Sequence, residues 1–160
     1  MKQFNKGTLN GSSPDKVVAH WKAVSSLSVK VSDLNIDIKD AKNTINVMLK
    51  AYDKAISNDA ILHTELLSIR NQLLELTQQI RGSKIRSEVG EKDEYPTMRD
   101  YMWKANSGSS TYGPTAGQLQ SLENANTLYD RTKTKLKNIE KLMIPLEEKL
   151  IKIGAPKIKN

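Results

Sequence analysis

A chain of 160 residues suits one domain and is long enough to bury a core without disulfide or metal staples. Hydrophobic residues at 38% and charged residues at 27% argue against a disordered chain, and 5% aromatics call for a mainly aliphatic core. There is no cysteine, which excludes a disulfide framework and thiolate metal sites; the net charge of +7 is concentrated from Arg131 to Asn160, where nine basic residues meet three acids, so the near-neutral remainder gives little support to general nucleic-acid binding.

Met1 to Ser13 is polar, carries Gly7 and Gly11, lacks the apolar core of a signal peptide and reads as a flexible lead-in over 1–13. Ser13-Pro14 then opens a helix, because serine can cap free amides and proline tolerates the first helical position. A seven-residue apolar repeat follows. One position holds Val17, Val24, Val31, Ile38, Ile45 and Tyr52; three residues further on come His20, Leu27, Leu34, Ala41, Met48 and Ala55. This is the seam of a bundle or coiled coil and predicts a helix over about 14–56, roughly 65 Å long at 1.5 Å per residue.

Ser57-Asn58-Asp59 is the expected break, with Asn58 or Asp59 as the cap of a second helix over about 60–82. Its apolar positions are Leu62, Leu66, Ile69, Leu73, Leu76 and Ile80, and Gly82 is a natural stop. The repeat stays in phase through 57–59, so a continuous helix is the competing reading; a hairpin is preferred because a lone helix of that length could not bury its seam. Ser83 to Glu94 reads as a loop, and Pro96 as the opening of a short helix over about 96–106. A Gly/Ser loop follows, then a last helix over about 115–153 with Leu122, Tyr129, Leu136, Met143 and Leu150 along its seam. Pro145 within that run removes one backbone donor and predicts a bend near Lys141. No apolar run approaches the ~18 residues of a membrane span. The expected architecture is all-α: one domain over 14–158, an elongated antiparallel helical bundle of two long helices and a broken middle rod.

Chemistry-bearing patterns are few. His20 and His63 each lack a second histidine or carboxylate at the i+3 or i+4 spacing of a zinc helix, and both read as packed or edge histidines. Asp33, Asp37 and Asp40 share the first helix with Lys30 and Lys39 and read as a solvated, ion-paired face. Gly113-Pro114-Thr115 lacks the lysine of a phosphate loop and reads as a helix cap. No catalytic, cofactor or metal residues are assigned. The candidate interaction surface is Arg131, Lys133, Lys135, Lys137 and Lys141, which circle the exposed side of the last helix and would suit an acidic partner, polysaccharide or membrane surface. Trp21, Trp103 and Tyr112 are the aromatics that an independent binding module would expose, although both tryptophans fall on or beside expected apolar faces. A homo-oligomeric coiled coil, pairing the first helix between chains, is a further reading.

The order of motifs in the second half supports a resemblance. Tyr95-Pro96-Thr97-Met98-Arg99-Asp100-Tyr101-Met102 is followed by Thr111-Tyr112-Gly113-Pro114-Thr115, then Ile144-Pro145-Leu146-Glu147 and Gly154-Ala155-Pro156. This set resembles the carboxy-terminal helical region of large bacterial sortilin-like proteins, which carry BNR/Asp-box β-propeller repeats and are often labelled glycosyl hydrolases. The likeness covers most of residues 14 to 158. It departs at the end, where the family often has tryptophan after Gly-Ala-Pro and this chain has Lys157. The resemblance implies a non-catalytic scaffold or docking module whose partner is the propeller domain of a parent chain. It implies a place outside the cytoplasm, with any export signal upstream. The propeller repeats are not in these residues, so no catalytic position is carried over.

Overall fold

The computed structural model describes residues 13–83, 86, 88, 90–91, 95–108 and 113–156. Within them the protein is all-α. Its helices are α1 (Pro14–Tyr52), α2 (Ala60–Arg81), α3 (Met98–Asn106) and α4 (Ala116–Lys152). The expected lead-in lies outside the described residues except for Ser13, as do the last residues of the expected domain, 157–158.

Each boundary has a local cause. Pro14 opens α1, while the Ser13 side chain makes no capping hydrogen bond, contrary to the sequence expectation; its carbonyl instead accepts from the Lys16 and Val17 amides. α1 stops at Tyr52, four residues short of the expected end. There the Tyr52 hydroxyl donates to the Asp59 carbonyl at 3.0 Å, and its ring stacks on His63 at 4.9 Å and 12°. These contacts bind the last turn of α1 to the first turn of α2, so the chain turns before Ala55 and leaves Ile56 in solvent. The 57–59 break is a hairpin. Asp59 caps α2 by accepting from the Ile61 and Leu62 amides, both at 3.0 Å. Gly82, at φ 85°, ends α2 in a conformation that a side chain would resist.

α3 begins at Met98, after Pro96. The true cap is Thr97, in a reciprocal box with Asp100: the Asp100 amide donates to the Thr97 hydroxyl, and the Thr97 amide donates to the Asp100 carboxylate. The same device, Thr115 with Gln118, starts α4. α4 then runs through Pro145 to Lys152 without a break.

Three rods result. α2 is antiparallel to α1, since Tyr52 meets His63 at one end while Arg81 reaches Asn35 further along. α3 continues the direction of α2, and His20 near the start of α1 bonds the end of α3. α4 runs parallel to α1: the Gln118 side chain bonds the Ser107 carbonyl at one end, and the Ser57 amide bonds the Ile153 carbonyl at the other. Lys149 pairs with Glu65 at 2.6 Å between α4 and α2. The middle rod is therefore broken into α2 and α3, with long helices on both sides of it.

The seam expected from the heptads is the core. Leu27, Leu34, Ile38, Ile45 and Met48 of α1 pack with Leu62, Leu66, Leu73 and Leu76 of α2 and with Leu136, Ile139, Leu146 and Leu150 of α4. Full burial of one such aliphatic contributes about 1.5–3 kcal/mol, so this column dominates stability. Thr132 is a polar member of the buried face; completely buried, it satisfies its hydroxyl on the Leu128 carbonyl at 2.7 Å.

Candidate binding groove

Among the described residues, part of α1 is uncovered between α2 and α3. Between the end of α2 and the body of α3 lies an open groove of about 750 Å³. Val24 and Val31, seam residues of α1, form its apolar base, and Ser25, Ser28 and Ser32 line the adjoining face of that helix. Arg81 stands at the α2 end, and Arg99, Met102 and Trp103 come from α3. Trp21, near the start of α1, closes the far end of the groove.

The tryptophans are held differently. Trp21 is half-buried, edge-on to the His20 ring at 5.0 Å and 73°. Trp103 is 70% exposed, beside the inward face of α3 and not on it. Its position on a nine-residue helix explains this: Met98 and Ala105 take the inward positions of α3, and Trp103 falls to the side. Tyr112 lies outside the described residues.

Among the described residues the groove's charge is one-sided. Its charged lining residues are Arg81 and Arg99. The Arg81 Nε–H donates to the Asn35 side chain at 3.1 Å, which orients the guanidinium along α1. Arg99 neighbours Asp100 within α3. The backbone N–H of Thr97 holds the Asp100 carboxyl below the usual carboxylate range; partial burial opposes this, and the Thr97 hydroxyl, Lys104 and Arg99 reinforce it. Indole, guanidinium, hydroxyl and amide groups therefore face one concavity, a set suited to binding a carboxylate-bearing chain with an apolar side group.

The basic residues singled out in the sequence are elsewhere. Arg131, Lys133, Lys135, Lys137 and Lys141 are all exposed on α4, and none lines this groove. Helical geometry sets Arg131 and Lys133 about 200° apart, so the five do not converge. Lys133 folds back to the Tyr129 hydroxyl at 3.2 Å, with its ammonium 5.5 Å from the ring centre.

The acids are partly gathered. Asp37 and Asp40 of α1 face Glu140 and Glu147 of α4 across a shallow second groove. Among the described residues no group of three or more His, Cys, Asp or Glu is placed to hold a metal ion. The histidines are packed, His20 buried against α3 and His63 stacked on Tyr52. No helix among the described residues is long and apolar enough to cross a membrane. Arg81 and Arg99 were missed as site residues because only the tertiary fold brings the end of α2 near α3. Their one sequence signal was position, each beside the end of a helix that borders the break.

Comparison of the chain with protein-family models, with curated proteins and with solved structures finds no match.

Proposed function

We propose that this domain is a non-catalytic docking module that takes an acidic protein segment into the Trp21–Trp103 groove. The observation that carries the reading is charge complementarity: two arginines and two tryptophans line one open groove on an otherwise aliphatic bundle. The resemblance to the helical region of sortilin-like proteins extends the proposal. The segment belongs to the propeller part of a parent chain labelled a glycosyl hydrolase, and the module works outside the cytoplasm as the scaffold against which that part packs.

The test is a titration of the full chain, followed by tryptophan fluorescence, with three probes: a Glu/Leu-alternating peptide, a neutral oligosaccharide and vesicles of anionic lipid. The proposal expects saturable binding of the peptide, weakened at least tenfold by Arg99→Glu and by Trp103→Ala, with helix content unchanged by circular dichroism. Preference for the oligosaccharide would replace it with a carbohydrate-binding module that uses Trp103 as a stacking platform. Preference for vesicles, or the absence of peptide binding, would overturn it. So would glycoside turnover by the purified chain that a groove substitution abolishes.

A further inference from the structure

α1 carries a second apolar stripe that the bundle does not use. Val18, Val29, Ile36 and Val47 are 42% to 61% exposed. At 3.6 residues per turn they fall within about 20° of one another, on the side of α1 opposite the buried seam. Lys22, Ser25, Asp40 and Asn43 lie between them on the same side, so the four apolar residues are spaced along a polar face. The heptad seam itself is filled by α2 and α4, so the coiled-coil pairing between chains that the sequence suggested is closed on that face. The outer stripe remains open.

Its spacing is symmetric. The intervals are 11, 7 and 11 residues, centred between Ser32 and Asp33. A second copy of the same helix, laid antiparallel about that centre, would set Val18 against Val47 and Val29 against Ile36, each contact made twice. This is the residue-onto-residue reciprocity of a two-fold interface. A parallel copy would set each residue against itself and join like charges.

The flanking charges favour the antiparallel arrangement. On the α4 side of the stripe, Asp15, Lys22 and Lys30 lie in the first half of α1, while Asp33, Asp37 and Asp40 lie in the second. Reversal places Lys22 and Lys30 of one copy beside the acids of the other, with Lys22 nearest Asp40 of its counterpart and Asp15 beyond them at the end. Asp33, beside the centre, would face its own copy and is the one flanking charge that opposes pairing.

From this geometry we infer that the outer face of α1 is a homodimer interface, formed by antiparallel pairing with a second copy of this chain. It stands independently of the groove, which lies on the other flank of the stripe. The test uses the protein's lack of cysteine. Sedimentation of the full chain over a concentration series should show a monomer–dimer equilibrium, weakened at least tenfold by Lys22→Glu or Asp40→Lys and restored when the two are combined. Asp33→Asn should tighten it. With a bis-maleimide, Val18→Cys and Val47→Cys chains should cross-link to each other when mixed but not to themselves, whereas Ser32→Cys should cross-link to itself. A monomer at every concentration overturns the inference. So does self-cross-linking at Val18→Cys, or a dimer in which none of these cross-links forms.

Discussion

His20 donates its Nε2 hydrogen to the carbonyl oxygen of Ala105 at 3.0 Å, across 85 residues of chain. A carbonyl only accepts, so the neutral ring carries its hydrogen on Nε2 and presents a bare lone pair at Nδ1. That Nδ1 is buried and has no hydrogen-bond partner among the described residues. The bond pins the last turn of α3 to the first turns of α1. Replacing the ring removes the pin and leaves the Ala105 carbonyl unsatisfied, so His20→Ala should cost about 1–3 kcal/mol in urea unfolding. His20→Gln, which can donate to the same oxygen, should recover part of the loss.

Gly154 ends α4 at φ +77°, and a Cβ there would lie 2.8 Å from the Cδ1 atom of Ile56. Gly154→Ala should destabilise by about 1–2 kcal/mol from the left-handed backbone alone. Ile56 is 90% exposed, so its Cδ1 and Cγ1 can rotate away, but its Cβ, 3.2 Å from the added atom, is fixed to the backbone and must give by a few tenths of an ångström. In a double-mutant cycle, adding Ile56→Ala should return only a minor fraction of the loss.

The capping box of α3 makes acid stability legible at one residue. Asp100 has its pKa lowered from 3.8, chiefly by the Thr97 backbone hydrogen bond. A carboxylate favoured in the folded state contributes stability above its unfolded pKa and loses it as pH falls through the folded one. Thermal unfolding followed from pH ~6 down through ~4 and below should therefore show a fall that Asp100→Asn flattens, the variant being less stable than the parent only on the neutral side.

Pro145 lies on the exposed side of α4, inside an unbroken helix. Its ring removes one helical donor and crowds the carbonyl of Lys141. Pro145→Ala should raise stability, by up to about 3 kcal/mol, because little packing is lost with the ring. A fall in the midpoint of chemical unfolding would mean that the ring packs in the folded state more than its exposure indicates.

The heptads made the architecture readable. Val24 through Met48 and Leu62 through Ile80 repeat at spacings that only a shared helical core satisfies, and Asp59 and Gly82 mark their ends. The errors fell where tertiary contacts overrule local pattern. Tyr52 looked like one more seam residue, but its hydroxyl and ring fasten the hairpin and stop α1 early. Pro96 drew attention from Thr97, although Thr97-Met98-Arg99-Asp100 carries the capping-box pattern. The groove was the least legible feature. It is built from residues of α1, α2 and α3 that no sequence spacing relates.

α3 is nine residues long, well below the length at which an isolated helix holds in water. It persists because Thr97 caps it, Met98 and Ala105 anchor it and His20 ties it down. The rods around it are longer and buried along most of their length. The domain thus contains a small conditional unit on a durable frame, and three lining residues of the groove, Arg99, Met102 and Trp103, belong to that unit. Hydrogen exchange should find the α3 amides opening first, and any ligand of the groove should slow them while leaving α2 unchanged. Ligand capture and the final ordering of α3 would then be one event, linked through a single equilibrium.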